Sequence, residues 1–155
     1  MGARRIAHLP SIFATLTLQD LNAPMPYLDG NVIRLHAFSL DVPREVRARC
    51  ALWLSRDEQV RAARFRFDQD HDHFVVAHGY LRCVLGAYCG RPPGSLVFRR
   101  NPLGKPELTG VPPLPTRVRF SLTHSHGRAL LAVAREFEVG VDLEQVRTEI
   151  DYRAL

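Results

Sequence analysis

Lysine is nearly missing from this sequence: Lys105 is the single one among 21 Lys and Arg residues. A chain that uses arginine everywhere else and keeps one ammonium marks that place for a compact cation. Long apolar runs are missing too. None approaches the ~18 residues that a membrane-spanning helix needs, so no membrane partner is expected. The opening, MGARRIAHLPSIFATLTL, imitates a secretion signal, but Pro10 and Ser11 interrupt it and no small-residue cleavage site follows cleanly. Ile6 stands where a myristoylation motif needs Ser or Thr. Cysteine is scarce: Cys50, Cys83 and Cys89 have neither metal-type nor redox-type spacing. Cys83 and Cys89 fall in an apolar helical pattern, which predicts buried free thiols and suits a reducing cytoplasm. Repeats and low-complexity tracts are absent.

What remains is 155 residues, 46% of them apolar, enough for one domain with a real core. The formal net charge of +5 points to an anionic partner. Residues 1–30, with Pro10, Pro24, Pro26 and Gly30, form an extended lead-in. Val32–Ser39 alternates as a strand. Asp41 and Pro43 start a helix whose apolar face is Val46, Cys50 and Trp53. Ser55 and Glu58 form a capping box that opens a second helix to about Arg64. The longest helix runs from about Gln69 to Cys89, with Gly90 as its stop and His71, His78 and Arg82 along one stripe. That stripe lets Arg82 point toward a ligand from the helix surface.

Strand periodicity then takes over. Leu96–Arg99 is a short strand and Asn101–Pro106 a turn; the proline-rich VPPLPT precedes Val118–Thr123 with Val118, Phe120 and Leu122 inward. Ala129–Ala134 suits a strand buried on both faces, and Val139–Glu144 another short strand ending in acids. The order predicts an α+β domain, an antiparallel sheet packed on a long helix.

Asp142 and Glu144, two apart on that last strand, place both carboxylates on one face, an arrangement that holds Mg²⁺ against phosphate oxygens or else is a solvated strand end. Thr123, His124, Ser125, His126 and Gly127 gather hydroxyls, imidazoles and backbone N–H groups in a loop suited to phosphate. No G-x-S-x-G elbow supports a serine hydrolase. Gly104, Lys105 and Pro106 make a stiff turn with a cation at its centre. His71, Asp72, His73 and His78 lack the convergence and the cysteine pair of a zinc site. The arginines of 44–66 lack the interleaved aromatics of a nucleic-acid reader, and no nucleic acid is expected.

In order, LSRDEQVRAARFRF, HGYLR, GKPEL, FSLTHS and GVDLE resemble the long, pseudo-dimeric type of 4′-phosphopantetheinyl transferase over about residues 52–147. The resemblance implies transfer of the phosphopantetheine arm of coenzyme A (CoA) to a serine of an apo acyl or peptidyl carrier protein, with Mg²⁺, releasing 3′,5′-ADP. By motif, Asp142 and Glu144 are the Mg²⁺ ligands, and with His124 the catalytic set. Thr123 and His124 lie at a CoA phosphate, with Thr123 replacing the usual Ser. Gly104, Lys105 and Pro106 line the adenine and 3′-phosphate end. Arg61 and Arg82 match basic positions that meet phosphates, and Ser121 replaces the commoner Asn.

The resemblance divides the chain into a lead-in (1–30), a CoA- and Mg²⁺-binding subdomain (31–147) and the start of a truncated second subdomain (148–155). The family's W-x-x-K-E-A helix, with its third carboxylate, is not in the sequence, and Trp53 is in no such motif. The expectation is a chain lacking the second pseudo-repeat and incomplete for catalysis alone, with an exposed apolar face and a tendency to self-associate. A non-catalytic CoA-binding module is the alternative; an arginine-rich nucleic-acid binder is a remote one.

Overall fold

The computed structural model describes residues 6–7, 14–109 and 118–145. The strands are β1 (Ile6–Ala7), β2 (Ile33–Ser39), β3 (Val97–Arg100), β4 (Pro106–Thr109), β5 (Val118–Ser125) and β6 (Arg128–Arg135). The helices are α1 (Arg44–Ala51), α2 (Arg56–Ala62) and α3 (Asp68–Cys89). One sheet has the order β1-β2-β6-β5, and β3 and β4 form a separate antiparallel hairpin. β2 and β5 both run antiparallel to β6, whereas β1 joins β2 in parallel. The fold is α+β, with an antiparallel sheet packed on a long helix.

Sequence chemistry accounts for each boundary. The Ser55 hydroxyl accepts from the Glu58 N–H while the Glu58 carboxylate accepts from the Ser55 N–H, closing the capping box that starts α2. Asp68 and Asp70 lie in the first turn of α3, where the helix dipole favours acids. At the other end Gly90 adopts φ 62°, a left-handed stop that costs glycine little. α3 supplies Val76, Ala77, Val84 and Leu85 to a core shared with Phe38, Leu131, Val133, Val118 and Phe120 of the sheet. Each large apolar side chain buried there contributes roughly 1.5–3 kcal/mol. α1 crosses α3 at Gly79, where an added Cβ would sit 2.4 Å from that of Cys50.

Several expectations shift. The lead-in is partly core, because Leu16, Leu21 and Leu28 are buried and Ile6–Ala7 pairs with β2. Trp53 lies past the end of α1 and is half-buried. β4 was hidden by Pro106 at its first position, where a strand tolerates proline. Thr123, His124 and Ser125 are in β5, and the loop shrinks to a two-residue turn, His126 (φ 48°) and Gly127 (φ 72°), the left-handed pair that a tight hairpin demands. Val139–Glu144 is not a strand. Glu136, at φ 69°, turns the chain out of β6, and beside β5 the Val141 N–H meets the Ser121 hydroxyl in place of a ladder carbonyl. Cys50 and Cys83 are buried free thiols and Cys89 is half-buried. Among the described residues no helix is long and apolar enough to cross a membrane. The VPPLPT linker and residues 148–155 lie outside the described residues.

Candidate functional site

Side chains of β5 alternate between two sides of the sheet. Phe120, Leu122 and His124 turn toward α3, and Ser121 and Thr123 turn away. Among the described residues β5 is the last strand of the sheet, so both sides meet at its edge.

On the α3 side lies a groove of about 600 Å³. Leu81, Leu96, Phe98, Phe120 and Leu122 form an apolar lining; Arg61, His78, Arg99, Arg100 and His124 bring positive or protonatable groups to it. Four of the residues singled out from the sequence, Arg61, Arg82, Pro106 and His124, therefore line one cavity. Arg61 is exposed, its guanidinium 5.3 Å from the centre of the Phe74 ring. His78 stacks on the same ring at 4.1 Å and approaches Glu58 at 3.6 Å. His124 is exposed, yet partial desolvation lowers its pKa from the ordinary imidazole value, and His78 and His73 push it the same way.

Arg82 does not face a ligand from the helix surface. It is 2% exposed, and its donors go to the Glu58 carboxylate at 2.7 Å and to the carbonyls of Pro93 and Leu96 at 3.2 and 2.9 Å. The guanidinium also lies 5.0 Å from the centre of the Phe98 ring. Arg82 thus ties α3 to α2 and to the chain leading into β3. Burial alone would raise the Glu58 carboxyl, but bonds from His78, Arg82 and the Ser55 N–H, with the Arg82 charge, bring it to about 2.

The single lysine is also engaged. Lys105 Nζ donates to Glu138 at 3.0 Å and to the Val139 carbonyl at 2.7 Å, and Arg119 meets Glu138 at 3.0 Å. Lys105 therefore fastens the β3–β4 turn to the segment that carries the acids. Gly104 reaches φ 81° in that turn, and its carbonyl accepts from Arg100 at 2.7 Å.

On the far side of β5, the Thr123 hydroxyl donates to Asp142 at 3.4 Å and the Ser121 hydroxyl accepts from the Val141 N–H at 3.3 Å. These two hydroxyls hold the acidic segment against the edge. Asp142 and Glu144 are exposed. Among the described residues no group of three or more His, Cys, Asp or Glu is placed to hold a metal ion. The pair offers hard carboxylate oxygens in an open position. That donor set fits Mg²⁺, which takes one or two protein carboxylates and fills its shell with water and phosphate. His71, His73 and His78 turn to three separate carboxylates, Asp72, Asp41 and Glu58.

The structure therefore joins Thr123 to Asp142 and puts His124 with Arg61, on opposite faces of one strand. Sequence reasoning passed over His78, Arg99 and Arg100 as ligand-facing groups. The available signals were the position of His78, four residues after Phe74 and four before Arg82, and the two arginines directly ahead of the Gly-Lys-Pro turn.

No family model matches the chain. The 4′-phosphopantetheinyl transferase HetI of Nostoc sp. is 37% identical over 123 residues, 79% of this chain and 52% of that protein. Over that stretch the chain is similar to a protein named as a 4′-phosphopantetheinyl transferase. A second relative, slr0495 of Synechocystis sp., whose name gives the same activity as provisional, is 34% identical over 95 residues, 59% of this chain and 36% of its own length. The chain thus spans about half the length of the first phosphopantetheinyl transferase it matches, and less of the second.

Proposed function

We propose that this chain is the CoA- and metal-binding part of a 4′-phosphopantetheinyl transferase of the long, pseudo-dimeric type, acting in the cytoplasm. Residues 31–147 form its CoA- and Mg²⁺-binding subdomain, 1–30 a lead-in and 148–155 the start of a second subdomain. The substrates are CoA and an apo acyl or peptidyl carrier protein. The observation that carries this reading is the 37% identity over 123 residues, over a stretch whose groove gathers Arg61, Pro106 and His124.

In the reaction the carrier serine hydroxyl releases its proton to solvent as its oxygen bonds to the β-phosphorus of CoA, and the bond to the bridging oxygen breaks with its electron pair leaving on 3′,5′-ADP. Negative charge builds on the pyrophosphate, and prearranged cations lower the barrier most where that charge develops. Arg61 and His124 are placed for this on the groove side. Asp142 and Glu144 would hold Mg²⁺ at the strand edge, and the ion supplies charge neutralisation when bound. Ser121 and Thr123 hold the acidic segment in place. A phosphate that meets both sets would lie around the edge of β5.

The test is mass spectrometry of an apo carrier protein after incubation with the chain, CoA and Mg²⁺, with and without a separately made C-terminal half. A phosphopantetheine mass gain supports the transferase reading. Gain only with the second half makes this chain its CoA-binding part. Asp142→Ala should lower the rate at least about 100-fold. No gain in any combination, with no CoA binding, would sink the reading.

A further inference from the structure

We propose that His78 and His124 form an imidazole pair that receives a phosphate group of the bound ligand and takes up a proton as it does so. This rests on the CoA reading and assigns a new residue, His78, to that groove. Both rings line the same cavity, one from α3 and one from β5. His78 is held by a stack on Phe74 at 4.1 Å and by Glu58, which lies 3.6 Å from Nδ1. The ring lines the groove, with Nδ1 turned to Glu58.

The surroundings decide the charge. His124 faces His78 and His73 from α3, and Asp57, Glu58 and Arg61 of α2, Arg82 of α3 and Arg99 and Arg100 of β3 share its groove. A second cavity, about 490 Å³ on its other side, adds Asp41, Asp70 and His126. Two of the nearby acids are paired, Glu58 with Arg82 and Asp41 with His73 at 2.9 Å. Partial desolvation and the two neighbouring imidazoles therefore disfavour the charged form of His124, exposed though it is, in the free protein. A phosphate between the rings reverses the balance, because an adjacent anion favours the imidazolium and charge-assisted hydrogen bonds are the strong ones. Affinity then rises as pH falls through neutrality, while Arg61 keeps some binding at higher pH.

Calorimetric titration of the chain with CoA at pH 7, in buffers of different ionisation enthalpy, reads the proton directly. The expected uptake is roughly half to one proton per CoA, with affinity rising from pH 8 to 6.5. His78→Gln should lose most of the uptake and weaken CoA roughly tenfold. Its urea midpoint reports whether it folds, and His124→Gln gives a second route to the same loss. Protonation of the ligand itself would persist in both variants. Titration with 3′-dephospho-CoA names the phosphate: uptake lost assigns the 3′-phosphate, and uptake kept assigns the pyrophosphate. CoA binding without uptake, or uptake unchanged in His78→Gln, overturns the pair but leaves the CoA reading standing. No CoA binding to the unaltered chain overturns both.

Discussion

Arg82 and Glu58 show how a residue that resembles a ligand contact can instead hold the wall of the site. An Arg with three protein acceptors inside the core leaves an uncompensated carboxylate if it is removed. Arg82→Ala should therefore cost about 3–5 kcal/mol in chemical denaturation. Arg82→Lys should recover little, since a point charge cannot serve the same divergent acceptors. Acid stability should fall in two windows. His36, half-buried against Tyr80 and Tyr88, is lowered from 6.5 to about 4 by desolvation and by the Arg34 charge. Its folded pKa is depressed, so the unfolded chain takes the proton first and stability drops as pH falls from about 6.5 toward 4. Glu58, lowered to about 2, adds a second loss between about 4.5 and 2. Urea midpoints across pH should show both steps, with Glu58→Gln removing only the lower one. The histidine stripe of α3 suggested an Arg82 aimed outward at a ligand, whereas it points inward, because the two directions differ by part of a helical turn and the deciding acceptors come from Pro93 and Leu96.

Among the elements, the ones legible in sequence were those stabilised by their own residues. α3 announced itself by period and by Gly90, α2 by its capping box, and β6 by its apolar run. Ser55→Ala should accordingly cost about 1 kcal/mol. Elements defined by a neighbour were misjudged. Val139–Glu144 alternates like a strand, yet β5 meets it with the hydroxyls of Ser121 and Thr123. Ser121→Ala should thus speed hydrogen exchange at the Val141 amide while leaving the β5–β6 amides protected. Helix crossings are likewise invisible in one helix's pattern. Gly79→Ala places a Cβ within 2.4–2.7 Å of Cys50 atoms, two of them backbone, and overpacking of this kind should destabilise by about 1–3 kcal/mol.

At the level of the whole molecule, α3 covers one side of the sheet, and the described residues cover the other only in part. Ala132 and Ala134 are buried with Val139, while Ile33 and Leu35, packed against them, are half-exposed, as is Leu130 on the same side. Concentration-dependent self-association should follow in sedimentation runs, and Leu35→Glu should abolish it without unfolding the chain. A strictly monomeric chain at high concentration would count against this. The alternation of β5 has a genetic consequence. One codon inserted between Leu122 and Thr123 would exchange the sides on which His124 and Thr123 project, taking the imidazole from the groove and the hydroxyl from Asp142 together. The same insertion in the exposed turn at Pro102 and Leu103 leaves the strand in frame with itself. Length variants selected for function should therefore accumulate in that turn and be missing from β5.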